Sequence, residues 1–476
     1  MPMEFGLICQ IDMEVRAMLK DQEVSEERIR SAIDLLRKLI PEDELRRLQP
    51  SSPNTVYTTL ITLWMLTLQR LGGGKSLEDV VKDVLCENRD LLPLNKRVQE
   101  GTLSFSSAAY SAARQRLELK TAEYFANRVC NSLIELSPPA FEERRAFIID
   151  GTTITLSPTP ELQKAFPPAS NQLGETVWPV ALLMVAHELQ SGCALPPEIG
   201  AMYGENNVSE AELAKAIAQR IPRGAIVMAD SGFGIFGVAY HVVQSGRPIL
   251  FRMTKSRFKV VRRHATLIED YEGRRTYQAS WTPSAKDRKS HPEIPPDACL
   301  HVFLHETSLP SGETLYLVTT LQTDCDTAAE YYARRYDVEH DIRDVKVTLN
   351  TEQIRARSVE MVKKELLTSI VAYNLVVQFR RQAAKLANIR PRRLSFTEVW
   401  DTFRKFVVDR GPCDEPTWQE RYDQALHLAA KYCKLPDRKK PRSYPRQAHP
   451  RRPKSTKFMK QQRNETPAKP PPNHPN

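Results

Sequence analysis

The sequence predicts an α/β fold, and three observations predict it. Between residues 140 and 255, short apolar runs of β-type composition alternate with helical segments, the pattern of a sheet with helices packed on it. The residues before that region are helical in pattern, and helices return after it. Two of the apolar runs end on an aspartate, Asp150 and Asp230, which places carboxylates at the rim of a sheet.

The elements follow in order. Within residues 1–139, EERIRSAIDLLRKLI is amphipathic, NTVYTTLITLWMLTLQRL is apolar on most sides, and SFSSAAYSAARQRLELKTAEYFANRVCNSL follows a loop. The tract LGGGKS resembles a phosphate loop, but Gln69 stands where the first glycine is required, and the tract follows a helix. Gly72 to Gly74 therefore predict a helix stop, with Ser76 and Glu78 opening the next helix. This helical part is a candidate DNA-binding domain, with Arg114 and Arg116 either backbone contacts or ordinary helix packing. After Pro138 and Pro139 come RAFIID and GTTITL, then WPVALLMVAHEL and CALPPEIG as strands. NNVSEAELAKAIAQRI is a helix capped by Ser209, GAIVMAD is a buried strand ending in Asp230, GIFGVAYHVVQ is a helix, and RPILFRM is a strand. SVEMVKKELLTSIVAYNLVVQFRRQAAKL predicts a long helix with an apolar face from Leu366 to Val377, and WQERYDQALHLAAKY a final one.

Composition excludes several classes. The chain is 41% hydrophobic and 26% charged, with no run near the ~20 apolar residues of a membrane span. The N-terminus lacks the pattern of a signal peptide, and the eight cysteines form no C-x-x-C pair, so a cytoplasmic protein with reduced thiols is expected. The net charge of +10 sits in one place: residues 437–476 carry 12 Lys or Arg against 2 Asp or Glu, leaving 56 of each sign in the other 436 residues. That proline-rich basic tail predicts disorder, and either adds salt-sensitive phosphate affinity or only solubilises the chain.

The stretch Tyr332 to Lys346 carries the most chemistry. Tyr332, Arg335, Glu339 and Lys346 stand at offsets of 0, 3, 7 and 14, which on a helix fall near ~0°, 300°, 340° and 320°. Two cations and a phenol on one stripe suit phosphate oxygens, and the carboxylate suits a hard metal ion. A solvated charged face is the bland alternative for the stripe alone. Asp150 and Asp230 also have bland roles as turn or cap residues. With Glu339, however, they make the oxygen-ligand set that holds two Mg²⁺ ions in phosphodiester displacement, Mn²⁺ being an able substitute.

Asp150-Gly151-Thr152, Asp230-Ser231-Gly232-Phe233 and Tyr332-x2-Arg335-x3-Glu339-x6-Lys346 together resemble the DDE transposases of bacterial insertion sequences, of the insertion-sequence-four type with its Y-(2)-R-(3)-E-(6)-K signature. The resemblance covers roughly residues 25–390. It implies a ribonuclease H-like catalytic core interrupted by a β-rich insertion domain. On that basis the expected layout is a helical DNA-binding domain (1–139), a first core part (140–255), the insertion (256–312), a second core part (313–390), C-terminal helices (391–436) and the tail (437–476). Asp150, Asp230 and Glu339 are then catalytic and metal-binding, while Tyr332, Arg335 and Lys346 bind DNA phosphate. Within or beside the insertion, Lys255, Arg257 and Lys259 are expected on one face of a strand, facing DNA backbone. Trp281 is a candidate for trapping a flipped base, or a core residue.

The function implied is cut-and-paste transposition of a mobile element in the bacterial cytoplasm, at the nucleoid. The partners implied are double-stranded DNA, as terminal inverted repeats and target, and a second copy of the chain in a paired-end complex. The alternatives are a catalytically silent, transposase-derived repressor and a plain metal-dependent nuclease.

Overall fold

The computed structural model of the chain describes residues 31–141, 144–171, 174–309, 312–345 and 354–436. Lys346 and the basic tail 437–476 lie outside the described residues, so the expectations placed on them are not addressed by the fold.

The N-terminal part comprises α1 (Ala32–Leu39), α2 (Glu42–Leu48), α3 (Thr59–Leu71), α4 (Leu77–Glu87), a short α5 (Lys96–Gln99), α6 (Ala108–Arg116) and α7 (Leu119–Glu135). Every residue of α3 is buried, which is what its nearly continuous apolar run requires. Gly73 and Gly74 end it with φ of +73° and +84°, a region closed to most side chains. Ser76 then caps α4 in a reciprocal box with Asp79. The LGGGKS tract is therefore a helix stop followed by a helix start.

The sheet comprises β1 (Ala146–Thr155), β2 (Pro168–Asn171), β3 (Gly174–Glu188), β4 (Glu198–Ala201), β5 (Ile226–Ala229), β6 (Ile249–Arg252), β7 (Thr266–Tyr271), β8 (Arg274–Trp281), β9 (Leu300–Ser308) and β10 (Thr314–Thr319). The interspersed helices are α8 (Pro160–Ala165), α9 (Glu210–Arg220), α10 (Phe236–Gln244), α11 (Lys255–Arg262), α12 (Ala285–Ser290) and α13 (Cys325–Ala333). The strands run β2-β3-β1-β5-β6-β10-β9-β8-β7, with β4 also on β3. β3 is antiparallel to β1 and β4, whereas β5 and β6 run parallel to β1. Beyond β6 every pairing is antiparallel, so the strands from 266 to 308 extend the same sheet. The runs RRTYQASW and LHVFLHE are indeed strands. KSRFKVVR, expected as a strand, is instead α11: Thr254 caps it, and Phe258 is fully buried against Tyr277 and Tyr316. Eight residues whose apolar positions are Phe258, Val260 and Val261 discriminate poorly between period 2 and period 3.6, and tertiary packing of Phe258 decides between them.

After α13 the chain continues through a 3₁₀ turn (Arg334–Tyr336) into α14 (Asp337–Arg343), then α15 (Val359–Leu386), α16 (Phe396–Phe403) and α17 (Glu415–Tyr432). The long α15 packs against α3, α7, α16 and α17, joining the N-terminal helices to the rest. Its buried Glu365 accepts hydrogen bonds from Arg70 of α3 and Arg114 of α6. Arg114 is therefore part of a buried ion network and not a surface DNA contact, while Arg116 is exposed. Losing one member of such a network strands a buried charge, at a cost of about 3–5 kcal/mol. Among the described residues no helix is long and apolar enough to cross a membrane, and seven cysteines are free thiols.

Candidate active site

The two aspartates are brought together by backbone register. On the parallel pair β1 and β5, Ala146 lies opposite Ile226, Phe147 opposite Val227 and Ile148 opposite Met228. Carried two residues further, the same register sets Asp150 beside Asp230. Strand alternation puts both on the face occupied by Ile148 and Met228. That face carries α13 and α14, whose Tyr332 and Val338 pack in one core with Ile148, Met228 and Leu250.

Local hydrogen bonds hold each carboxylate. Gly151 N–H donates to Asp150 Oδ1 at 2.8 Å, and Gly232 N–H donates to Asp230 Oδ1 at 2.8 Å. The loop after Asp230 presses on β6: a Cβ on Gly234 would stand 2.2 Å from the Arg252 carbonyl oxygen, which explains a glycine there. Burial pushes the Asp150 carboxyl up to about 6, against the pull of the Gly151 N–H. The charges of Asp230 and Glu210 add to the rise, and Arg335 opposes it. Glu210, the first residue of α9, lies against Gly151, where a Cβ would come within 2.5 Å of its Oε1.

The helix-borne residues gather on the same side. Tyr332 is 6% exposed, and its hydroxyl makes no well-formed hydrogen bond among the described residues, with Arg335 and Arg252 as the neighbouring cations. Burial pushes its phenol well above the usual range. Arg335 donates to Glu339 Oε1 at 3.3 Å, and the Glu339 side chain is 45% exposed. Burial would weaken the Arg335 charge, but Tyr332, Glu339 and Asp150 outweigh it and raise its proton affinity.

Asp150, Asp230, Tyr332 and Arg335 thus share one pocket of charge, and Glu339 joins it through Arg335. Among the described residues no three His, Cys, Asp or Glu side chains stand together as a metal-ligating group. The donor set still fits a hard divalent cation: the charge of Asp230 raises the proton affinity of Asp150, and a cation between the two carboxylates relieves that repulsion. Arg335 engages Glu339 Oε1 and so competes with a cation for that carboxylate.

The remaining predicted residues fall elsewhere. Lys255 and Lys259 are exposed on α11, one turn apart, while Arg257 points the other way and donates to the Ser231 carbonyl at 2.7 Å. The three therefore do not share one face, because α11 is a helix. Trp281 is 6% exposed on β8, edge-on to Phe236 at 5.5 Å, and is a core side chain in this structure. Sequence reasoning passed over Glu210 and gave no role in the site to Arg252. The second was visible as a cation at the end of the strand neighbouring Asp230's, where β6 register sets it beside that aspartate. Glu210 left no signal, since its approach to Gly151 is made only by the packing of α9.

Residues 142–375, which contain Asp150, Asp230, Tyr332, Arg335 and Glu339, match the family model described as Transposase DDE domain. Among solved structures, that of a piggyBac transposase synaptic complex with hairpin DNA is similar at a TM-score of 0.40 and 10% identity, over 86% of this chain and 83% of that one. That likeness is too distant to bear on function. No curated protein matches the chain. On the family match, the chain carries a transposase DDE domain and is an enzyme of the DDE transposase class.

Proposed function

We propose that the protein is a cut-and-paste DNA transposase of the insertion-sequence-four type, acting on terminal inverted repeats as a dimer that pairs two ends. The observation that carries this reading is the β1–β5 register, which aligns Asp150 with Asp230 beside Tyr332 and Arg335 inside the family-matched segment. The order β4-β3-β1-β5-β6, three antiparallel strands followed by two parallel to the first, supports a ribonuclease H-like core. Strands β7 to β9 would then be the insertion.

Asp150 and Asp230 would hold divalent metal, with Glu339 completing the set. Mg²⁺ bound there supplies charge that activates the attacking oxygen and stabilises the leaving one. The chain's own side chains do the rest. Arg335 and the Tyr332 hydroxyl, both partly withdrawn from water, bind the oxygens of the phosphate next to the cut, and Lys346 serves the same role in the proposal. A phosphate that engages Arg335 competes for its bond to Glu339, so substrate binding would free the third carboxylate. Water then attacks phosphorus and the 3′-oxygen leaves. The freed 3′-hydroxyl attacks the opposite strand to close a hairpin, which is reopened before strand transfer to target DNA.

Incubating purified protein with its own element ends and Mg²⁺ tests this. Cleavage that disappears in Asp150→Ala, Asp230→Ala and Glu339→Ala supports it. Tight end binding without cutting in Mg²⁺ or Mn²⁺ would replace it with the repressor reading.

A further inference from the structure

The helix that carries Glu339 is short and is seated on the sheet by charge. Its two buried side chains are Val338 and Asp341. Asp341 is 1% exposed and stands two residues past Glu339, about 200° around the helix, so it faces inward while Glu339 faces outward. Arg392, in the 3₁₀ turn Pro391–Arg393 between α15 and α16, grips it with two hydrogen bonds. Nη2 donates to Asp341 Oδ2 at 2.7 Å, and Nε donates to Oδ1 at 3.3 Å. The third nitrogen, Nη1, lies 3.1 Å from Asp337 Oδ2 at the start of α14, and donates to the Leu189 carbonyl just beyond β3 at 3.4 Å. One guanidinium therefore ties the first turn of α14, its buried face and the end of β3. His187 of β3 closes the other side, its Nδ1 3.8 Å from Asp341 Oδ2. Gly192 leaves room for the clamp, since a Cβ there would stand 3.3 Å from Arg392 Nη2.

A buried ion pair is a weak source of stability compared with apolar packing. What a forked pair supplies is direction: two parallel bonds fix the rotation of α14 as well as its distance from the sheet. Rotation matters at this site. A turn of ~30° about the helix axis would swing a carboxylate about 6 Å from that axis by roughly 3 Å, well beyond the ~1 Å misplacement that costs a catalytic site about 100-fold.

We propose that Arg392 is a positioning residue for Glu339: through Asp341 and Asp337 it sets the rotation of α14, from outside the family-matched segment 142–375. The catalytic half of this proposal rests on the reading of Glu339 given above; the clamp itself does not. Arg392→Gln, Arg392→Lys and Asp341→Asn are compared with wild type for melting temperature, affinity for end DNA, single-turnover cleavage, and amide hydrogen exchange followed by peptide mass spectrometry.

Arg392→Gln should keep the fold and an end-DNA Kd within about threefold, yet lose about 100-fold in cleavage rate, with exchange at 337–343 rising about tenfold and the β1 and β5 peptides unchanged. Arg392→Lys, which keeps the charge without the fork, should recover part of the rate. Unchanged exchange at 337–343 in Arg392→Gln would overturn the proposal whether or not the protein cuts DNA. So would a cleavage loss that only tracks the loss of folded protein or of DNA affinity. Faster exchange there, together with a wild type that binds ends without cutting, would leave the clamp standing and remove the catalytic reading of Glu339.

Discussion

The two halves of the candidate site are held by different forces. Asp150 lies within β1 and Asp230 directly follows the adjacent parallel β5, so their relation is set by the backbone ladder just before them and by pleat alternation. Arg335 and Glu339 sit on a 3₁₀ turn and a seven-residue helix, too short to be stable alone and seated through side chains such as Tyr332, Val338 and Asp341. The strand half is rigid and carries repulsion between like charges. The helix half is adjustable, and its carboxylate is bound to its own arginine. On the proposed function, the difference becomes a division of labour, with a two-carboxylate platform and a third ligand delivered when DNA phosphate takes Arg335.

The sharpest way to break that comparison is to neutralise the platform. Asp150→Asn and Asp230→Asn should each lower cleavage of element ends by about 1,000-fold or more, since each removes a charged oxygen donor from the proposed metal set. The melting temperature of Asp150→Asn should hold or rise, because burial and the charge of Asp230 both oppose ionisation of that carboxyl. A loss of activity matched by a loss of folded protein would mean that the aspartates are structural.

Next in size is an effect far from the platform. His305 of β9 is fully buried, and its Nδ1 is 3.1 Å from Thr276 Oγ1. Burial pushes its imidazole down to about 4, with Asp324 opposing. The unfolded chain then binds the extra proton between about 6.5 and 4, so this contribution is full above pH 6.5 and is lost as pH falls toward 4. The loss amounts to at most about 3 kcal/mol. Urea midpoints at pH 7 and 4.5 should therefore differ more for wild type than for His305→Gln. Equal differences would show that the imidazole is not buried in its neutral form, and would weaken the placement of β9 within the sheet.

A smaller change probes the helix half directly. Tyr332→Phe deletes a buried hydroxyl that lacks a well-formed hydrogen bond, so stability should hold or improve by up to about 1 kcal/mol. Cleavage should still fall about tenfold if that hydroxyl is kept for a phosphate oxygen. Thermal melts and single-turnover rates on one preparation check both signs, and an unchanged rate would return Tyr332 to the core.

Much of this was legible in the sequence, for identifiable reasons. The apolar runs leading to Asp150 and Asp230, the Ser209 cap and the buried run of α15 are local patterns that survive tertiary packing. β1 runs on to Thr155, however, so Asp150 lies inside its strand and only Asp230 follows a strand end. The family resemblance on the two aspartate motifs and the helical signature agrees with the DDE match over 142–375. What failed depended on distant partners. Arg114 could be read as a DNA contact or as helix packing, and its buried pairing with Glu365, 251 residues away, decides for packing. Asp341 lies next to the apolar side of its helix, a charge in an unlikely place, yet nothing local points to Arg392, 51 residues on. The period-2 reading of Lys255, Arg257 and Lys259 lost to the anchoring of Phe258.

That last failure yields the finest comparison, between cations that look alike in sequence. Lys255 and Lys259 are exposed on α11 and free to meet phosphate, whereas Arg257 is committed to the carbonyls of Ser231 and Gly234, in the loop that follows Asp230. Lys255→Ala combined with Lys259→Ala should weaken end binding a few-fold and reduce the slope of log K against log salt by about two, with little change in the cleavage rate of bound DNA. Arg257→Ala should leave the salt slope alone and slow cleavage of bound DNA, because the loop behind the second aspartate loses its tie. If Arg257→Ala instead lowers the slope like the lysines, the guanidinium meets DNA, and the strand-borne half of the site is less self-supporting than its register implies.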